Sequence, residues 1–192
     1  MFFLGFTTLA QNVRYNTLDF ETISAKEGLS QVSVNDITRD SYGFIWAATQ
    51  DGLNRYDGYN FRVYKRNPRD NSSLSFNYVQ CIFEDIEKNL WVGTLMGLNK
   101  YNPKTETFKQ YVYDFKNNNS PASNDVSAIT QTESKDLWIA TNGGWLNRLS
   151  PSIEKFTRFK IASLIGKPSV LSVSINSLTP LPGNILLIGT SN

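Results

Sequence analysis

One short phrase recurs along this sequence at nearly constant spacing, and it limits the possible folds more than any other feature. Residues 43–58 read GFIWAATQDGLNRYDG, and residues 89–103 read NLWVGTLMGLNKYNP. Trp46, Trp91 and Trp138 are 45 and 47 residues apart, and Leu187 takes the same place 49 residues later. An assembly of repeated units needs such copies, whereas a single enzyme pocket does not. An apolar residue also lies nine positions before each of the four: Ile37, Ile82, Ile129 and Leu178.

Each copy predicts four short strands rather than helices. Aromatic residues make up 13% of the chain, turn-forming residues occur in short clusters throughout, and no segment has a sustained helical apolar spacing. Periods of about 40 to 50 residues with several short strands are typical of β-propeller blades. Strands are predicted at 34–39, 44–49, 53–56, 61–65, 79–83, 90–94, 98–101, 107–112, 126–130, 137–141, 146–149 and 155–159.

The predicted fold is therefore all-β, with propeller blades of four antiparallel strands. Trp46, Trp91 and Trp138, with Gly52 and Gly97, form the structural repeat, and the indoles are expected to be buried between blades. Trp145 is an extra residue in the third copy, which predicts a β-bulge. The predicted units are blade 1 at 29–70, blade 2 at 71–117, blade 3 at 118–165 and a partial blade 4 at 166–192.

Two further segments precede the first blade. Residues 14–28 are predicted as an outer strand of the kind that closes a propeller ring, so the chain is interpreted as an open fragment of a larger propeller. Residues 1–10 are apolar, and small residues stand before Gln11, as at a secretory cleavage site. We interpret them as a signal-peptide remnant. The apolar run is shorter than the roughly 20 residues that span a bilayer.

Composition excludes several chemical functions. The sequence has no histidine, which removes a Ser-His-Asp triad, the common zinc sites and a phospho-accepting histidine. It has one cysteine, Cys81, so no intrachain disulfide can form. The net charge is only +2 and the basic residues are dispersed, which does not predict a nucleic-acid interface. No cofactor and no metal site are predicted.

The recurring phrase resembles the two-component regulator propeller repeat. Residues 40–49, DSYGFIWAAT, and 52–56, GLNRY, match that pattern, as do residues 90–94, LWVGT, with 97–101, GLNKY. Residues 137–141, LWIAT, match as well, although Trp145 interrupts the glycine region, and the fourth copy has no Trp. The resemblance covers about residues 14–192.

The resemblance implies a function as well as a fold. Such repeats form the periplasmic sensor region of hybrid two-component proteins, which bind oligosaccharides from polysaccharide breakdown. The signal passes through the packing of a homodimer to a histidine kinase, which this chain does not contain. This region is accordingly expected to be periplasmic and non-enzymatic. It is expected to contact no nucleic acid, and no membrane beyond the signal peptide.

Candidate ligand-binding residues are predicted on the face that carries the blade-connecting loops, because variable loops on a rigid scaffold converge there. Sugars stack on aromatic rings and form hydrogen bonds with amide and carboxylate groups. Trp145 is the leading aromatic candidate because it departs from the repeat and is less constrained by packing. The candidates are Gln50, Asp51, Asn142 and Trp145.

Two alternative functions remain open. A propeller hydrolase or lyase is one; a glycosidase needs two carboxylates at a defined separation, and sequence alone cannot pair the 17 acidic residues. The segment from Asp40 to Trp46 also resembles the Asp-box of sialidases, but that box stabilises a turn and performs no chemistry. The other alternative is a protein-interaction propeller without a small ligand.

Overall fold

Antiparallel sheets make up almost all of the computed structural model, which describes residues 22–164, 166 and 173–191. The first sheet contains β1 (Val34–Arg39), β2 (Ile45–Thr49), β3 (Gly52–Tyr56) and β4 (Phe61–Tyr64). The second contains β5 (Val79–Glu84), β6 (Leu90–Thr94), β7 (Gly97–Asn102) and β8 (Thr107–Tyr111). The third contains β9 (Val126–Gln131), β10 (Leu137–Thr141), β11 (Trp145–Ser150) and β12 (Lys155–Lys160). The fourth contains β13 (Ser174–Leu181) and β14 (Ile185–Ser191).

Each of the first three sheets is a meander whose strands pair in chain order, and the first strands of successive sheets lie against one another. The sheets are thus blades arranged around an axis, as predicted, with β1, β5, β9 and β13 innermost. Besides the strands, the described residues form a short 3-10 helix at Ala25–Glu27 and one helical turn, α1, at Ile161–Leu164.

The hydrophobic core lies between the blades rather than within any one of them. Trp46, 1% exposed, projects from blade 1 into side chains of blade 2, and its ring meets that of Tyr101 edge-on at 5.0 Å. Trp91, also 1% exposed, projects in the same way towards Leu137 and Phe156 of blade 3. Trp138 is half-buried against the fourth sheet. The predicted burial of the repeated indoles between blades is therefore confirmed for Trp46 and Trp91, whereas Trp138 is buried only in part.

A bulge near the start of every inner strand joins each blade to the next. The pairing register shifts at this point in all four sheets. The bulged side chain then donates to a carbonyl oxygen at the start of the following inner strand. Asn35 donates to the carbonyl of Val79 at 2.7 Å, Gln80 to that of Val126 at 2.9 Å, and Ser127 to that of Ile175 at 2.8 Å.

A buried asparagine in each complete blade holds the chain segment that enters that blade. The Oδ1 atom of Asn99 accepts from the Ser75 amide at 3.0 Å, and its Nδ2 donates to the Ser75 hydroxyl at 2.9 Å. Asn54 holds Ser30 in the same way, and Asn147 accepts from the amide of Ala122. All three asparagines are fully buried, so these bonds satisfy amide groups that would otherwise be costly to bury.

Only part of the predicted N-terminal segments lies within the residues that the structure describes. The signal-peptide remnant at 1–10 and residues 14–21 of the predicted outer strand lie outside them. Within the remainder of that segment, Ala25–Glu27 form the 3-10 helix, with Ser24 and Glu27 making a capping box.

The bulge predicted at Trp145 is wrong. Trp145 opens β11 and pairs with Thr141 in an unbroken register that runs through to Leu137. The extra residue instead lengthens the turn before it, which contains Gly143 at φ 77° and Gly144 at φ 69°. Two successive glycines make this possible because they adopt positive φ without the steric cost that other residues incur.

Candidate functional site

The turn between the second and third strands of blade 1 contacts the loop that leads into blade 2. The Gly52 amide donates to the carbonyl of Asn77 at 2.8 Å, and the Asn77 side chain donates to Oδ1 of Asp51 at 3.2 Å. Asp51 Oδ2 lies 2.6 Å from the ammonium of Lys65, which follows β4 directly. Gln50 is exposed at the tip of this turn. Both predicted residues therefore lie where turns and blade-connecting loops meet, and Asp51 already has protein partners.

The equivalent turn of blade 3 differs in charge and size. Trp145 stands opposite Lys160 in the pairing of β11 with β12, and the Lys160 ammonium lies 4.9 Å from the centre of the indole. The same ammonium donates to the carbonyl oxygen of Gly143. Both side chains are half-buried, so part of the ring and part of the lysine remain accessible. This turn presents an aromatic ring beside a positive charge.

Asn142 lies in the same turn as Trp145 and is exposed. Its backbone amide donates to the carbonyl of Asp125 at 2.9 Å, and its side chain accepts from the Gly143 amide, so it shapes the turn. The structure thus groups the predicted residues into two pairs on different blades: Gln50 with Asp51, and Asn142 with Trp145. Blade 2 separates the pairs.

The glycines of the structural repeat are required by geometry. Gly52 has φ 126° and Gly97 has φ 136°, values that residues with a side chain rarely adopt. A Cβ atom on Gly52 would also lie 2.9 Å from the carbonyl oxygen of Tyr64, and one on Gly97 would lie 3.0 Å from that of Tyr111. Gly52 closes the hairpin that carries Gln50 and Asp51, and Gly97 closes the equivalent hairpin of blade 2.

Lys160 is the residue of this site that the sequence analysis missed. Its signal was present but weak: a lysine follows Phe159 just as Lys65 follows Tyr64 in blade 1. Only the pairing register shows that this position faces Trp145. A lone lysine at the end of a strand otherwise looks like an ordinary solvated residue.

Other concave surfaces lie away from the predicted residues. An open groove of about 380 Å³ between blades 2 and 3 is lined by Lys100, Lys109 and Glu154, among others. The Lys109 ammonium donates to Glu154, which lowers the pKa of that carboxyl below its usual value. None of Gln50, Asp51, Asn142 and Trp145 lines this groove.

Groups associated with catalysis are few in the part of the chain that the structure describes. There, no cluster of three or more cysteine, aspartate or glutamate side chains is arranged to hold a metal ion. Burial raises the pKa of the Cys81 thiol well above its usual value, so the group stays protonated. Within residues 22–164, 166 and 173–191, no helix has the length and apolar character needed to cross a membrane.

Comparison with known proteins identifies both the repeat and the fold. The family model described as "two component regulator propeller" matches residues 28–51 and 73–95. A histidine kinase of Formosa agariphila, "Histidine kinase P4", is 42% identical over 73 residues, which are 38% of this chain and 5% of that protein.

A solved structure supports the same assignment over a longer stretch. It is the extracellular domain of a B. thetaiotaomicron protein assigned as a hybrid two-component system. It superposes with a TM-score of 0.73 at 30% identity, covering 83% of this chain and 22% of the other. The chain thus spans only a small part of either relative.

Proposed function

We propose that this chain, which carries two-component regulator propeller repeats, is part of the sensor region of a hybrid two-component signalling protein. The observation that carries this proposal is the likeness to an extracellular domain of such a system over 83% of the chain. The sequence contains no histidine, so a phospho-accepting histidine would belong to another part of the protein. A signal from ligand binding in this region would be passed to a histidine kinase in that other part of the protein.

The proposed ligand is an oligosaccharide released by polysaccharide breakdown. Loops on a rigid scaffold are the usual place for binding residues, and the blade 3 turn offers a half-buried indole beside the exposed amide of Asn142. An indole has a broad apolar face with a polar edge, which suits a pyranose ring. We assign Trp145 and Asn142 to ligand contact, with Gln50 and Asp51 as a second, separate contact region.

The compartment and assembly follow from the same proposal. The solved relative is an extracellular domain, and we place this region in the periplasm, on the sensor side of the inner membrane. In the whole protein the sensor would act as a homodimer, with ligand binding altering the packing of its two copies.

A screen for binding and turnover tests the proposal. The purified chain is heated with a panel of neutral and acidic oligosaccharides, and each stabilising compound is then titrated by calorimetry. A ligand at a hundred times its dissociation constant should stabilise the fold by about 2.7 kcal/mol. The ligand should be recovered intact by chromatography after long incubation.

Three outcomes would contradict parts of the proposal. Cleavage of the sugar would favour a hydrolase or lyase. Absence of any stabilising sugar, together with a protein captured by the chain, would favour an interaction propeller. Unchanged affinity in the Trp145→Ala variant of the full-length sensor would remove Trp145 from the site.

A further inference from the structure

Blades 1 and 3 carry a lysine at the same structural position but provide it with different partners. In blade 1, Lys65 follows Tyr64, which pairs with Leu53, and its ammonium forms a 2.6 Å ion pair with Asp51. In blade 3, Lys160 follows Phe159, which pairs with Leu146. Blade 2 has Val112 at this position and no charge. Comparing the two blades therefore shows how the partners of Lys160 differ from those of Lys65.

Within the described part of the chain, blade 3 places no carboxylate beside Lys160 as blade 1 places Asp51 beside Lys65. The lysine there lies against Gly143 and Trp145, which replace the Asp51–Gly52 turn of blade 1. Among the residues that the structure describes, no carboxylate lies within ion-pair distance of Lys160. An ammonium has three N–H donors, and one of these bonds to the Gly143 carbonyl oxygen. Among the described residues, Gly143 is the one hydrogen-bond acceptor of this ammonium, so they do not use its other two donors.

A half-buried ammonium favours an anion more strongly than an exposed one does. The low local dielectric strengthens a charge-assisted hydrogen bond, and such bonds are about twice as strong as neutral ones. The ammonium lies over the indole ring in a cation–π contact, with its nitrogen 4.9 Å from the ring centre, and the ring adds apolar surface next to the charge. A pyranose ring bearing a negatively charged substituent satisfies both groups at once.

We infer that Trp145 and Lys160 form a subsite for an acidic sugar, with the ring against the indole and the anionic substituent on the ammonium. This inference rests on the proposed sensing of oligosaccharides and names the class of ligand. The anionic group could be a carboxylate, as in a uronic acid, or a sulfate ester, since each accepts hydrogen bonds from an ammonium.

Matched pairs of oligosaccharides test the inference and separate the two anionic groups. One pair is tetragalacturonate and its full methyl ester, in which an added methyl group neutralises each carboxylate. The other is a sulfated galactose tetramer and its desulfated form. We expect one acidic member to bind at least about tenfold more tightly than its neutral counterpart. The pair that shows this preference identifies the anionic group.

Four variants connect the preference to Lys160. Lys160→Gln should remove it, and Lys160→Arg should retain it because the charge is kept. Gly143→Asp should also remove it, since a Cβ atom there lies 3.8 Å from the ammonium and an internal carboxylate would recreate the pair found in blade 1. Lys65→Gln, the matched control, should leave the preference intact. Melting temperatures confirm that each variant is folded.

The outcomes distinguish this inference from the proposed function. Equal binding of acidic and neutral members, or a preference that survives Lys160→Gln in a folded protein, overturns the acidic subsite while leaving an oligosaccharide sensor in place. Failure of all oligosaccharides to bind overturns both. A preference lost in Lys160→Gln and Gly143→Asp, and kept in Lys65→Gln, supports the subsite.

Discussion

The indole Nε1 of Trp91 donates a 2.8 Å hydrogen bond to Oδ2 of Asp85, six residues earlier in the chain. Trp46 and Asp40 form the same bond at 2.7 Å. In each case the other carboxylate oxygen accepts hydrogen bonds from two backbone amides in the turn between the aspartate and the tryptophan. The aspartate thus ties a hairpin turn to the indole that packs on the next blade.

Removing this carboxylate should strongly destabilise the fold. Asp85→Ala leaves four donors without their acceptor: two backbone amides, the Asn89 side-chain amide and the buried indole N–H. We expect the free energy of unfolding to fall by about 3 kcal/mol. Thr132→Ala in blade 3 removes a 3.2 Å bond from the half-buried Trp138 and a 2.9 Å bond with the Ser134 hydroxyl, and should cost about 1 kcal/mol. Urea denaturation measures both. Equal losses in the two variants would contradict the anchoring role of Asp85.

The buried asparagine of blade 2 should protect the segment that it holds. Asn99→Ala removes the acceptor of the Ser75 amide and should lower stability by about 2 kcal/mol. Hydrogen exchange adds a local measurement, because the Ser75 amide should exchange much faster in the variant. Asn118 is exposed, and Asn118→Ala provides the control. Unaltered exchange at Ser75 in Asn99→Ala would show that other contacts hold the segment.

Gly93 has no side chain, which leaves room for the Cys81 thiol on the neighbouring strand. A double-mutant cycle can measure how far each residue depends on the other. A Cβ atom on Gly93 would lie 2.5 Å from the Cys81 Sγ atom and 2.7 Å from Val126 Cγ1, so Gly93→Ala should cost about 1–3 kcal/mol. Adding Cys81→Ala should restore part of this loss, since Ala128 faces Ala140 at the equivalent pair of blade 3. Strictly additive losses would show that Cys81 does not limit the space.

The Cys81 thiol should be unreactive until the protein unfolds. Burial raises its pKa, so iodoacetamide at pH 8 should modify the native chain at least about tenfold more slowly than the urea-unfolded chain.

The raised pKa of the Cys81 thiol also predicts that the stability of the fold depends on pH. An unfolded thiol ionises above about pH 8.5, so the stability that the buried thiol contributes is present below that pH and is lost as pH rises. The stability difference between wild type and Cys81→Ala should therefore shrink above about pH 8.5. Rapid native modification would place Cys81 at an accessible surface.

Strand positions could be predicted from the sequence because local signals and repetition agreed. Turn residues such as Asp57 and Gly58 mark hairpin ends, and three similar copies correct one another. The strand Leu90–Thr94 was predicted with its observed limits, whereas β11 begins at Trp145, one residue before the predicted start. That difference arose because an insertion next to a glycine can be read as a bulge or as a longer turn.

The site was less predictable because it depends on relations between distant residues. Trp145 could be chosen as the aromatic candidate from the sequence because it departs from the repeat. Its partnership with Lys160 depends on strand register. That no described carboxylate lies beside Lys160 becomes informative only by comparison with the Lys65–Asp51 pair. The inner-strand bulges were also missed, since Asn35, Gln80 and Ser127 share no residue type, only a donor group.

Those bulges have a mechanical consequence. The side-chain donor of each inner strand is fixed on a carbonyl of the next, from Asn35 to Val79, from Gln80 to Val126 and from Ser127 to Ile175. Sliding one blade along the axis would distort these bonds and the side-chain packing between the blades together. We therefore expect neighbouring blades to move together, so that a force on the outer strands of one blade would displace the adjoining blades with it.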